Sequence, residues 1–184
     1  MKKILPTLAL LLFLTACTDK WTVEHPDMPE NLRTQLEQNI TVSEATLATD
    51  PSNVKALFSI GFAYDQLGDY RKAIEYYEKV LEQSENDNVT LNNLASVYES
   101  VGEYDQAAEY IKKLYVLDPT SPEVIKDTVR ILLEAGDPTH ATEAVTNFVN
   151  KNKESGTTDA ATAQMISDLF VEIDKYKTAH PEQQ

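Results

Sequence analysis

The chain has 184 residues, a hydrophobic content of 42% and a formal net charge of −14, which together indicate one folded domain with an acidic surface. Because nucleic-acid binding requires clustered Lys and Arg against phosphates, this charge excludes nucleic acid as the expected partner. Only five glycines and eight prolines occur, and no alternating run rich in Val, Ile and Thr is present, so the composition predicts an all-α fold.

Residues 1–16 are predicted to form a cleaved export signal. Lys2 and Lys3 precede an apolar stretch that extends to Ala16 and is too short to span a bilayer, since a membrane-spanning helix needs about 20 residues. Cleavage after Ala16 leaves 14 basic against 30 acidic residues, a net charge of −16. The next residue, Cys17, is the only cysteine, so no disulfide can form within the chain.

The tetrapeptide Leu14-Thr15-Ala16-Cys17 resembles the lipobox of bacterial lipoproteins. The resemblance implies that Cys17 is acylated and that acyl burial of about 0.8 kcal/mol for each CH₂ anchors the chain. Apart from this covalent lipid, we expect no cofactor. In that family an Asp directly after the cysteine often marks the inner membrane. Here Thr18 follows, which implies the outer membrane facing the periplasm, or the cell surface in a single-membrane species. Residues 17–28 are predicted to form a lipid-anchored tether.

Residues 29–53 are predicted to form an N-terminal helix, equivalent to half a repeat. Their apolar pattern is weak and consists of Leu32, Leu36, Ile40 and Leu47. The pair Asp50-Pro51 stands 68 residues before Asp118-Pro119, where a preceding structural unit would end. We therefore expect this helix to stack on the first complete unit that follows it.

The next hundred residues show a period of 34. Three glycines at this spacing are each followed by an acid and, five residues after the glycine, by an alanine: Gly68, Asp69 and Ala73; Gly102, Glu103 and Ala107; Gly136, Asp137 and Ala141. We expect each glycine to end a helix in the left-handed conformation and each acid to cap the next helix. The alanines are predicted to lie where two helices approach closely.

This pattern resembles the tetratricopeptide repeat, with Leu57, Ile60, Gly61 and Tyr64 carrying it in the first unit. The resemblance implies an α-solenoid with repeat one at residues 54–87, repeat two at 88–121 and a degenerate repeat three at 122–153. Residues 157–180 are predicted to form a C-terminal capping helix, because apolar residues from Met165 to Tyr176 recur at helical spacing.

In this repeat family the first helices line a concave groove, which implies a partner-binding surface. The groove residues expected here are Phe58 and Phe62 in repeat one, Asn92, Asn93 and Ser96 in repeat two, and Arg130 in repeat three. Amide side chains can bind an extended peptide backbone without reading its sequence. For the two phenylalanines an alternative stays open, in which the N-terminal helix or the tether covers them. For the asparagines, simple solvation is the alternative.

No residues predict catalysis or metal binding. His25, His140 and His180 have no second histidine or cysteine three or four residues away, and no glycine-rich phosphate loop occurs. We therefore expect no enzyme, but a membrane-anchored adaptor or scaffold of the cell envelope that binds proteins or peptides, in envelope, pilus or secretion assembly. The alternatives are an envelope enzyme or small-ligand receptor that uses the groove, and a self-assembling structural lipoprotein.

Overall fold

The computed structural model describes residues 19–23, 25–156 and 159–183. These residues form eight α-helices and a terminal 3₁₀ turn at Pro181–Gln183. The helices are α1 (Glu30–Leu47), α2 (Val54–Leu67), α3 (Tyr70–Gln83), α4 (Asn88–Ser100), α5 (Tyr104–Leu117), α6 (Pro122–Glu134), α7 (Pro138–Ser155) and α8 (Ala160–Ala179). The predicted all-α solenoid with a helix at each end is confirmed. The predicted signal and Cys17 lie outside the described residues.

The 34-residue period marks the turns inside each helical pair. Gly68, Gly102 and Gly136 have φ values of +79°, +74° and +76°, a region in which residues with a Cβ are strained. Asp69 and Asp137 then accept a hydrogen bond from the backbone N–H three residues later, as expected for helix caps. The expected cap at Glu103 is wrong, because this side chain makes no capping bond and forms an ion pair with Lys20 instead.

The helices stack as antiparallel pairs, α2 with α3, α4 with α5, and α6 with α7. Ala73, Ala107 and Ala141 are fully buried, which allows the paired helices to approach closely. At one end α1 packs on α2, where Leu36 and Ile40 form a buried cluster with Ile60 and Ala63. At the other end α8 packs on both α6 and α7 through buried Leu169 and Ile173. The core consists of three buried clusters, which are connected by partly buried side chains such as Tyr98 and Tyr64.

Residues 19–23 and 25–28, which we call the N-terminal segment, lie against the solenoid. Trp21 and Val23 form backbone hydrogen bonds with Tyr70 and Gly68, and the Trp21 ring packs against Tyr98. The segment predicted as a tether is therefore docked on the solenoid from residue 19 onward. The sequence did not reveal this docking because a short segment without a periodic pattern can still bind through its backbone.

No helix within the described residues has the length and apolar character needed to cross a bilayer.

Candidate protein-binding groove

The predicted binding residues lie on the first helices of the three repeats, and we call the exposed sides of α2, α4 and α6 the groove face. Phe58 and Phe62 belong to α2, Asn92, Asn93 and Ser96 to α4, and Arg130 to α6. Cavities open at both ends of this face. One of about 290 Å³ lies between α1 and α2, and two of about 510 and 570 Å³ lie between α6 and α8.

Phe58 and Phe62 form the apolar end of the groove face. Their rings stack with centroids 6.4 Å apart, and Phe58 also contacts the buried Tyr77 ring at 5.7 Å. Phe58 is half-buried, whereas Phe62 is 44% exposed. The helix α1 contributes a wall to the adjoining cavity and does not cover Phe62. Phe58 is therefore partly buried by packing on Tyr77 and its neighbours in the repeats, whereas Phe62 stays open.

A wall of this cavity also includes an apolar residue that the sequence analysis missed. Val42 of α1 is 68% exposed and lines the cavity together with Phe58 and Phe62. Its position could not be found from the sequence, because Val42 lies outside the weak stripe that includes Leu36 and Ile40. Only the packing of α1 on α2 brings the three side chains to one place.

A hydrogen-bonded row of one buried and two half-buried polar side chains connects repeats one and two. The Asn93 amide donates a hydrogen bond to the Tyr77 hydroxyl at 3.1 Å, and this hydroxyl in turn donates to the carboxylate of Asp65. Burial raises the pKa of Asp65 to about 6 and also raises the pKa of Tyr77. Asn93 is therefore engaged in the fold. Asn92 and Ser96, also on α4, are exposed.

Arg130 carries the charged end of the groove face. Its guanidinium forms an ion pair with Glu99 of α4 and a second pair with Asp127 at 2.9 Å. Burial raises the pKa of the Asp127 carboxyl. The arginine is half-buried and lines both cavities between α6 and α8. Because two carboxylates already neutralise Arg130, this residue links α4 to α6 and does not present an unbalanced positive charge.

The described part of the chain contains no group of three His, Cys, Asp or Glu side chains that could hold a metal ion. His140 Nδ1 lies 2.6 Å from the carboxylate of Asp137 at the start of α7. His180 Nδ1 lies 3.1 Å from the carbonyl oxygen of Tyr176, and its ring stacks on the Tyr176 ring. Both histidines therefore have local partners at helix ends.

Comparison with known proteins agrees with this architecture. Residues 54–87 and residues 90–124 match two family models, each described as tetratricopeptide repeat. A search of the curated proteins finds no match.

Solved structures with similar folds include several of the protein MamA. "Crystal structure of MamA" has a TM-score of 0.57 at 16% identity and covers 84% of this chain and 98% of that chain. "MamA MSR-1 C2" has a TM-score of 0.51 at 22% identity, covering 66% of this chain and 70% of that one. "MamA RS-1 ArsTM double mutant" gives 0.57 at 15% identity, with coverage of 80% and 88%. The chain is an α-solenoid that contains tetratricopeptide repeats.

Proposed function

We propose that this protein is a lipid-anchored adaptor of the bacterial cell envelope that binds other proteins through its groove face. The observation that carries the proposal is the exposed Phe62, which stacks on Phe58 beside an open cavity of about 290 Å³. An exposed aromatic ring next to a partly apolar cavity is a typical anchor site for a side chain of a partner.

The groove face indicates the chemistry of the partner. An apolar side chain fits the cavity between α1 and α2, and Asn92 and Ser96 can form hydrogen bonds to an extended backbone. The other end has mixed charge, since Glu134 and Glu172 line a cavity there together with Arg130 and Lys175. We therefore expect a peptide segment with an apolar residue at one end and polar or charged residues at the other.

Photocrosslinking in cells tests the groove. A photoreactive amino acid is placed at position 62, at position 96 or, as a control, at position 116, where Val116 of α5 is 75% exposed. Positions 62 and 96 should capture the same partner, and position 116 should not. Position 93 is unsuitable because Asn93 bonds to Tyr77. Equal capture at all three positions would refute a groove-specific partner, and capture of the chain itself alone would favour self-assembly.

The lipid anchor rests on the lipobox at residues 14–17 and needs its own test. Cells that express the full chain or its Cys17→Ala variant are grown with labelled palmitate, and the membranes are then separated by density. The full chain should carry the label and sediment with the outer membrane, whereas the variant should carry none. Absence of label on the full chain would contradict the anchor and leave the groove proposal standing.

A further inference from the structure

The N-terminal segment crosses two successive turns of the solenoid. Val23 N–H donates to the carbonyl of Gly68 at 2.9 Å, in the turn between α2 and α3. Lys20 forms an ion pair with Glu103, in the turn between α4 and α5. These turns lie on the same edge of the stack, which we call the glycine edge because it carries Gly68, Gly102 and Gly136. The segment is thus fixed along this edge.

Side chains and backbone both hold the segment in place. The Trp21 carbonyl accepts a hydrogen bond at 2.9 Å from the N–H of Tyr70. This N–H lies in the first turn of α3, where backbone donors have no partner within the helix. The Trp21 ring meets the Tyr98 ring edge-on with centroids 6.3 Å apart, and the guanidinium of Arg71 lies 5.6 Å from the indole. Arg71 also pairs with Asp19 at 3.2 Å.

The position of this docking relative to Cys17 has a geometric consequence. Only Thr18 separates Cys17 from Asp19, the first described residue, and two residue steps span at most about 7 Å. An acyl group on Cys17 would therefore begin within that distance of the glycine edge. The opposite edge, which we call the far edge, contains the turns at residues 84–87 and 118–121. It lies one helix away, about 21 Å for the 14 residues of α3.

We propose that the docked N-terminal segment makes the glycine edge the membrane-facing surface of the protein, so that the lipid bilayer is its occupant. The proposal rests on the lipid anchor proposed above. The helices of the groove face then run away from the bilayer, with Phe62 near the membrane and Asn92 farther from it. A flexible tether would set no such orientation, because it would let the solenoid rotate freely.

Two glycine variants test the docking itself. A Cβ on Gly68 would lie 2.2 Å from the carbonyl oxygen of Val23, whereas a Cβ on Gly102 would have no neighbour within 4 Å. Both glycines have a left-handed backbone, so Gly68→Ala and Gly102→Ala carry similar backbone strain, and only the first collides with the segment.

Trp21, the only tryptophan, reports on this docking by its fluorescence. In the chain that begins at Cys17, which contains every described residue, Gly68→Ala should shift the emission to longer wavelength, and Gly102→Ala should not. Circular dichroism of both variants checks that the helices are retained. An unshifted Gly68→Ala spectrum, or the same shift in both variants, would show that the segment is not held against the edge.

The orientation is measured on vesicles. Cys17 is coupled to a maleimide-bearing lipid in vesicles of phosphatidylethanolamine and phosphatidylglycerol with brominated acyl chains, which quench nearby fluorophores. A fluorescent amino acid is placed at position 106, at the start of α5 on the glycine edge, or at position 86 on the far edge. Emission should be lost at position 106 and retained at position 86, and the difference should shrink in Gly68→Ala. Equal quenching at both positions would overturn the proposal.

Chemical coupling to Cys17 does not depend on acylation by the cell. The vesicle experiment therefore tests the orientation, and palmitate labelling tests the lipid anchor. Either proposal can fail without the other.

Discussion

Gly61 lies within α2, and its missing side chain leaves room for the ring of Tyr77. A Cβ at this position would lie 2.8 Å from Cδ1 of Tyr77, a ring that is fully buried and whose hydroxyl bonds to Asn93. The ring can neither swing into solvent nor shift without breaking this hydrogen bond. The sequence pattern placed Gly61 on the buried stripe, and the structure shows why a larger residue does not fit there.

Gly61→Ala should therefore destabilise the protein even though alanine favours helices. The gain in helix propensity is about 1 kcal/mol, whereas overpacking of a filled core costs roughly 1–3 kcal/mol. We expect a lower urea midpoint for Gly61→Ala and an unchanged or higher one for Ser96→Ala, an exposed position on α4. A midpoint for Gly61→Ala at or above that of the parent would show that the Tyr77 ring adapts.

Asp65 gives the protein a pH-dependent stability. Burial raises the pKa of Asp65 from 3.8 to about 6, so the folded state binds its proton more tightly than the unfolded chain does. The stability contributed by the protonated carboxyl is complete below pH 3.8 and is lost as the pH rises to about 6. Asp65→Asn keeps the side chain neutral at every pH. The unfolding free energy of this variant should therefore depend less on pH between 3.8 and about 6.

Urea unfolding of the parent and of Asp65→Asn at several pH values between 4 and 7 measures this effect. The stability of the variant relative to the parent should increase with pH. Parallel pH profiles of the parent and the variant would show that the pKa of Asp65 is the same in the folded and unfolded states. In Tyr77→Phe, which removes a hydrogen bond that lowers the pKa of Asp65, the upper end of this pH window should move to higher pH, whereas the lower end stays at the pKa of the unfolded chain.

Among single residues, the sequence could predict those whose role depends on local backbone geometry. The left-handed turns at Gly68 and Gly102 follow from the periodic pattern, because only glycine adopts such φ values without strain. The partners of Glu103 and Asn93 could not be predicted, because Lys20 and Tyr77 are distant in sequence and only the tertiary fold brings them near. The groove positions of Phe62 and Ser96 follow from helical periodicity and remain predictions as binding residues.

At the scale of elements, the two end helices complete the solenoid by different means. The helix α1 buries two side chains, Leu36 and Ile40, and exposes most of its surface. The helix α8 buries Leu169 and Ile173 against both α6 and α7. The last repeat has no successor on which to bury its apolar face, so α8 takes this role.

Removal of a buried side chain from α8 should therefore destabilise the C-terminal end. Ile173 is 1% exposed, and Ile173→Ala should lower the unfolding free energy by about 2–4 kcal/mol. Val171 on the same helix is 64% exposed and provides the matched control, since Val171→Ala should change stability by less than about 0.5 kcal/mol. Urea unfolding followed by circular dichroism measures both. Similar losses for both variants would mean that α8 does not pack through Ile173.

The helices were predictable where a periodic apolar stripe coincides with a cap or a glycine. Apart from the missing cap at Glu103, repeats one and two combine these signals, and the three-repeat solenoid with its end helices follows from them. Docking of the N-terminal segment could not be predicted in this way, because its main hydrogen bonds come from the backbones of Trp21 and Val23. Nearly every residue type offers the same backbone groups, so the sequence does not show which of them will form such bonds.

For the whole molecule, excess negative charge opposes folding. The chain from Cys17 onward has a net charge of −16, and its described ion pairs are largely exposed, so each contributes about 0–1 kcal/mol. Repulsion among the unpaired carboxylates should then dominate. We expect the thermal midpoint to rise as potassium chloride increases from roughly 20 to 300 mM, because salt screens this repulsion. A falling midpoint would instead show that the ion pairs dominate.

The polar outer surfaces of the two end helices have a consequence for assembly. A stack of helical hairpins has two ends, and the end of one copy could pack on the opposite end of another. If both ends were apolar, such contacts would repeat and form a filament. Here α1 exposes Glu37, Gln38 and Thr41, and the outer side of α8 exposes Ser167, Asp174 and Thr178 beside the apolar Val171. Joining two copies end to end would remove these groups from water without compensating burial. The polar groups on the two end helices therefore disfavour end-to-end stacking of copies.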